Sequence, residues 1–275
     1  MLHGHTAAEF VKLPVEERNA VYERHLVTED MVQIEEGDDD DFFNPELANG
    51  VLLRQEYMVG NDEAGKQIAK EAREMYYKQN TFTVRSHWLC EFLVDTLADG
   101  KPFRVESLVR KIVVTVDLEH IHDSMGMPSS PEPRGKRKGR GTDKIEEVEP
   151  WAVRDLKQLL AFTNADWIGI EIRGGGALDG SDLRTQQKIQ EISRIIKQLI
   201  LQFPRQRLRI RKISPTSATY HDLKPYWTPP SKQAKQNLRN GRASFLELMQ
   251  IQIEEWTRDI PDVVTAEYNW VSLLT

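Results

Sequence analysis

Apolar and polar residues alternate along three stretches of this chain. Ile112, Val114, Val116 and Leu118 form one such set, Ile168, Ile170 and Ile172 a second, and Leu208 and Ile210 a third. A period of two sends successive side chains to opposite sides of a strand, so each set predicts a strand with one apolar face. The predicted strands cover Lys111 to Leu118, Trp167 to Arg173 and Arg205 to Ile213, and Thr81 to Val84 is a shorter fourth. Between them the apolar spacing changes to three and four. Ile68, Ala72, Met75 and Tyr76 predict a helix from Lys66 to Lys78. Leu89, Phe92, Leu93, Thr96 and Leu97 predict another, capped by Ser86 and stopped at Gly100. A third starts at Pro150 and carries Val153, Leu156, Leu159 and Leu160. The longest opens at Ser181 or Asp182, carries Ile189, Ile192, Ile196, Leu199 and Phe203, and ends before Pro204.

Strands separated by helices require crossover connections, which gives an α/β class with a mainly parallel sheet of about four strands. The second sheet face is more polar: Lys111, Val113, Thr115 and Asp117, then Trp167, Gly169, Glu171 and Arg173, then Arg205, Arg207, Arg209 and Arg211. Strands buried on both faces read as unbroken apolar runs, so this alternation predicts helices chiefly on one face. Residues 7 to 27 read as an N-terminal docking helix entered through Leu13-Pro14. Tyr226, Trp227, Pro229 and Pro230 suggest an extended segment, Ser244 to Thr257 an amphipathic helix, and Val263 to Val271 a short strand or tail. The whole, residues 1 to 275, is expected to be a single domain. Two segments stand apart, an acidic loop over residues 35–45 and a charged insertion over residues 123–149 rich in Gly, Pro and Ser.

A hydrophobic fraction of 39% and a charged fraction of 29% fit a chain that buries a core. The formal charge of -6 gives no global attraction to nucleic acid or anionic lipid, and no run of apolar residues is long enough to span a membrane. Cys90 is the single cysteine, which excludes an internal disulfide and fits a reducing compartment, cytoplasmic or nuclear. It falls beside the apolar stripe of its helix, where a thiol reads as core filler.

The chemistry-bearing candidates are few. Asp117, His120 and His122 stand where the second predicted strand ends, the place where open α/β sheets hold ligands, and a metal-dependent hydrolase is the alternative they suggest. Gly174-Gly175-Gly176 after a strand resembles a phosphate cradle but lacks the Lys-Ser or Lys-Thr that follows one, and Asp179 and Asp182 would repel a phosphate. No cofactor is expected. The basic run from Arg134 to Arg140 is a candidate nuclear-import signal, partly cancelled by Glu146, Glu147 and Glu149. Arg205, Arg207, Arg209 and Arg211 place four guanidinium groups on one sheet face. They serve either as protection and internal pairing, with Glu171 or the acids at Asp38 to Asp41, or as a surface for an acidic protein partner. A nucleic-acid surface is a third reading of the same stripe. Glu16, Arg18, Glu71 and Arg73 are candidates for paired salt bridges locking the first helix onto the second.

The stretches LPVEERNAVY, beginning at Leu13-Pro14 with Glu16 and Arg18, and EAREMYYKQNTF, with Glu71, Arg73, Tyr76, Asn80 and Phe82, resemble the fungal F-box-like proteins named for two Glu-x-Arg motifs. The likeness covers about the first 120 residues. It implies an intracellular protein-interaction module, with a substrate-recruiting adaptor that docks onto a ubiquitin-ligase linker as one form of it, and a strand following the second motif. The acidic Glu35 to Asp41 run stands where an F-box would place further helices.

Overall fold

A computed structural model describes residues 2–34, 52–94, 104–118, 150–217 and 219–260. Six strands form one sheet in the order of the chain: β1 (Val32–Ile34), β2 (Thr81–Arg85), β3 (Lys111–Asp117), β4 (Trp167–Arg173), β5 (Leu208–Ile213) and β6 (Tyr220–Asp222). The first five are parallel and β6 returns antiparallel to β5. The class is α/β as expected, with two more strands than the alternation showed. β1 and β6 are three residues each, too short to display a period.

The helical elements are α1 (Ala7–Phe10), α2 (Val15–Leu26), α3 (Glu56–Val59), α4 (Glu63–Gln79), α5 (Leu89–Val94), α6 (Val105–Leu108), α7 (Trp151–Lys157), α8 (Leu183–Gln202), α9 (Lys232–Arg239) and α10 (Phe245–Trp256). Sequential parallel strands joined by crossovers of one hand place their helices on one side. The main core agrees: Phe82, Val84, Ile112, Val114, Val116, Ile168, Ile170, Ile172, Leu208 and Ile210 meet Leu156 of α7 and Ile189, Ile192, Ile196 and Leu199 of α8. Met249 and Ile253 of α10 extend the same core. A second, smaller core of Phe10, Tyr22, Leu26, Leu53, Ile68 and Ala72 sits between α1, α2 and α4.

Several local expectations change. Residues 7 to 27 form two helices, because Thr6 and Glu9 close a capping box around α1 and the chain turns before Pro14 starts α2. Ser86 opens a 3-10 turn (Ser86–Trp88) before α5. That tighter turn shifts the phase of the stripe, and Cys90 is exposed rather than core filler. The segment at Tyr226 and Trp227 is a 3-10 helix (Lys224–Trp227) rather than extended. Asp182 caps α8 and Ser244 caps α10 with a capping box to Glu247. Residues 35–45, 123–149 and 263–271, with His120 and His122, lie outside the described residues.

Candidate interaction surface

The two Glu-x-Arg motifs meet in the N-terminal core. Arg18 of α2 grips Glu71 of α4 in a bidentate pair through the Nε–Nη2 edge of its guanidinium, Nε to Oε2 at 2.9 Å and Nη2 to Oε1 at 2.8 Å. Its Nη1 donates to the carbonyls of Leu13 and Val11, at 2.6 and 3.2 Å, so the fork also fixes the turn before the helix. Glu71 accepts further bonds from Tyr22 Oη (3.0 Å) and Gln67 Nε2 (2.9 Å). Burial raises the Glu71 pKa, but the donated bonds from Arg18, Gln67 and Tyr22 outweigh it, and the carboxyl lies below its ordinary range. The second pairing takes a different form. Arg73 is buried and donates Nε to the Arg54 carbonyl at 2.8 Å, Arg54 stacks 3.8 Å over the Tyr76 ring, and Glu16 is exposed.

Asn80 completes this unit. It is fully buried, donates Nδ2 to the carbonyls of Leu26 (2.7 Å) and Tyr76 (2.9 Å), and accepts from Thr28 N at 2.9 Å. One amide thus ties the ends of α2 and α4 together just before β2. Phe82 then packs against Tyr76 and Tyr77, with ring centroids 5.2 and 5.6 Å away. The motif residues form a clamp between the helical pair and the sheet.

At the other end of the sheet the glycine loop is closed from within. Lys212, on the helical face of β5 and 0% exposed, donates Nζ to Gly175 O (2.9 Å), Asp182 Oδ2 (2.9 Å) and Thr185 Oγ1 (2.5 Å). Asp182 also accepts from Thr185 N, so the first turn of α8 is occupied by the protein's own carboxylate. Burial raises the Asp182 pKa, yet the bonds from Thr185 and Lys212 bring it down to about 2. Gly176 has φ +91°, and a Cβ there would lie 2.4 Å from Asp182 Cγ; Gly174 has φ +144°, with Leu118 Cβ at 2.7 Å. These glycines serve close packing and turn geometry. Nothing in the sequence pattern flagged Lys212 beyond its position, a lysine at a core-facing step of an alternating strand.

The second sheet face carries the arginine stripe in altered form. β5 begins at Leu208, so Arg205 and Arg207 precede it, on the turn after Pro204, and only Arg209 and Arg211 are strand residues. Arg207 Nη1 reaches Ala165 O at 3.4 Å. Arg209 lies 5.2 Å from the Trp167 ring centroid and Arg211 4.2 Å from that of Tyr220. Glu171 pairs with Arg173 at 3.3 Å. The indole of Trp167 lies across Gly169: a Cβ on that glycine would meet Trp167 Cζ2 at 3.4 Å and Val113 Cγ2 at 3.3 Å. Val113 and Thr115, at the middle of this face, are 1% and 2% exposed but belong to neither hydrophobic cluster.

Among the described residues no group of three or more His, Cys, Asp or Glu side chains is placed to hold a metal ion, and no helix is long and apolar enough to cross a membrane. Asp117 is half-buried at the end of β3. Comparisons with protein-family models, with curated proteins and with solved structures gave no match.

Proposed function

We propose that this protein is a non-catalytic, intracellular interaction module of the fungal F-box-like type, an adaptor acting in the cytoplasm or nucleus through protein contacts. The observation that carries the reading is the pair of stacked guanidinium groups on one sheet face, Arg209 on Trp167 and Arg211 on Tyr220. Stacking holds an arginine in place while leaving its donors outward, and arginine and aromatic groups dominate the energetics of protein interfaces. Among the described residues neither guanidinium is in an ion pair. The N-terminal clamp supports the same reading as scaffold, since it fixes α1, α2 and α4 on the opposite side of the sheet from that face.

The test is co-purification from the native host by tagged wild-type protein and by an Arg209→Glu/Arg211→Glu variant of equal thermal stability. Partners retained by the wild type, lost by the variant and rebound in purified form are the expected outcome. An identical partner set for both proteins would refute the reading. Presence of a ubiquitin-ligase linker among those partners would identify the adaptor class.

A further inference from the structure

The register of the strands sorts the charges of the second face into rows. At the strand starts, Lys111 stands beside Trp167, and Arg207 lies on the turn one step before the Ile168–Leu208 pair; the next row is Thr83, Val113, Gly169 and Arg209. These two rows and the adjoining turn carry three cations, Lys111, Arg207 and Arg209, and the residues named there include no acid. The following row, Arg85, Thr115, Glu171, Arg211 and Asp222, mixes signs, as does the last, where Asp117 stands beside Arg173. The acids of the face therefore lie toward the strand ends, where Glu171 is already paired with Arg173. Asp166 lies on the turn just before β4, where its N–H donates to the carbonyl of Arg110 on the neighbouring turn at 2.7 Å.

We infer that Lys111, Trp167, Arg207 and Arg209 form a docking subsite for an acidic segment of a protein partner. This rests on the proposed function and names the chemistry of its partner. Three arguments favour that occupant. The local charge is positive on a chain whose formal total is -6, so attraction is confined to a short range and to a ligand that is itself locally acidic. Strands about 4.8 Å apart and rows about 7 Å apart give a patch about 10 by 7 Å, the reach of two or three residues of extended chain. A nucleic acid would run beyond it onto Asp117, Glu171 and Asp222. Finally, Trp167 Nε1 has no acceptor among the described residues; it is buried in the unbound chain, and an acidic segment that shifts the indole from its place across Gly169 would supply one.

The test is fluorescence anisotropy of the full chain with a fluorescein-labelled peptide of glutamate and serine. Saturable binding that weakens at least about tenfold between about 50 and about 500 mM salt is expected. Lys111→Glu and Arg209→Glu should each weaken binding about tenfold or more, and Trp167→Phe, which keeps a ring but removes the N–H donor, by a few-fold. Arg239→Glu, on α9, is the control and should leave binding unchanged. Circular dichroism establishes that each variant is folded. Absence of saturable binding, equal loss in the α9 control, or tighter binding of a single-stranded oligonucleotide of the same charge would overturn the inference. If the peptide fails to bind while native partners are still lost by Arg209→Glu/Arg211→Glu, the inference falls and the interaction reading stands.

Discussion

Glu71 carries an unusual load for one carboxylate: two guanidinium nitrogens of Arg18, the Tyr22 hydroxyl and the Gln67 amide converge on it. Removing Arg18 would leave that carboxylate half-buried and also abandon the Leu13 and Val11 carbonyls. Arg18→Ala should therefore lower stability by about 3 kcal/mol, read as a shift of the denaturation midpoint without change of slope. Titration at Asp182 provides a second residue-scale check. Its folded pKa of about 2 lies below that of an unfolded aspartate, so its contribution is present above the ordinary carboxylate range and is lost as pH falls toward 2. Asp182→Asn should cost about 3 kcal/mol near neutral pH, by leaving buried Lys212 without its countercharge, and the gap to wild type should close in acid. Asp155 behaves with the opposite sign. Burial, with Glu91 nearby, pushes its pKa up to about 6 against the opposing pull of Arg154. Its charged form is disfavoured in the fold, so the stability it contributes is full below the unfolded pKa and disappears as pH rises through 6. Asp155→Asn should raise stability by about 1 kcal/mol near neutral pH and change little in acid, as thermal melts across pH would show.

The elements differ in how openly the sequence announces them. β3 and β4 were legible because Ile112, Val114 and Val116, and Ile168, Ile170 and Ile172, recur at every second residue, although Val113 and Thr115 between them are buried as well, and α8 because Ile189, Ile192, Ile196 and Leu199 recur at helical spacing. β1 and β6 were not, since β6 (Tyr-His-Asp) is exposed throughout and offers no buried face to leave a pattern. The stripe from Arg205 looked like one strand because alternation continues through the turn at residues 204 to 207, where the hydrogen bond from Arg207 N to Pro204 O bends the chain first. The Arg18 and Glu71 contact was suggested by their shared motif type; the partner of Arg73 is a backbone carbonyl, which leaves no trace in side-chain spacing. The Gly174–Gly176 connection makes a prediction at this scale. Gly176→Ala forces a Cβ into the Asp182 carboxylate at positive φ, and should cost at least about 2 kcal/mol, more than Gly175→Ala, where no atom lies within 4 Å. Equal effects of the two substitutions would mean the turn is not held as described.

Across the whole molecule, the order of strands and the parity of their side chains produce two unlike faces. One is sealed by α7, α8 and α10 around Ile168, Ile170 and Ile172. The other carries cations and aromatic rings, and its cationic end could not be recognised from composition, because only the register brings Lys111 beside Trp167 and Arg209 beside Gly169. The measurement that tests contact through this face most directly is hydrogen exchange on the complex with a co-purified partner. Protection gained on binding is expected in β3, β4 and β5, centred on residues 111–115, 167–171 and 207–211, with α9 and α10 unchanged. Protection confined to α2 and α4, or to the α9 and α10 end, with those three strands unaltered, would contradict it.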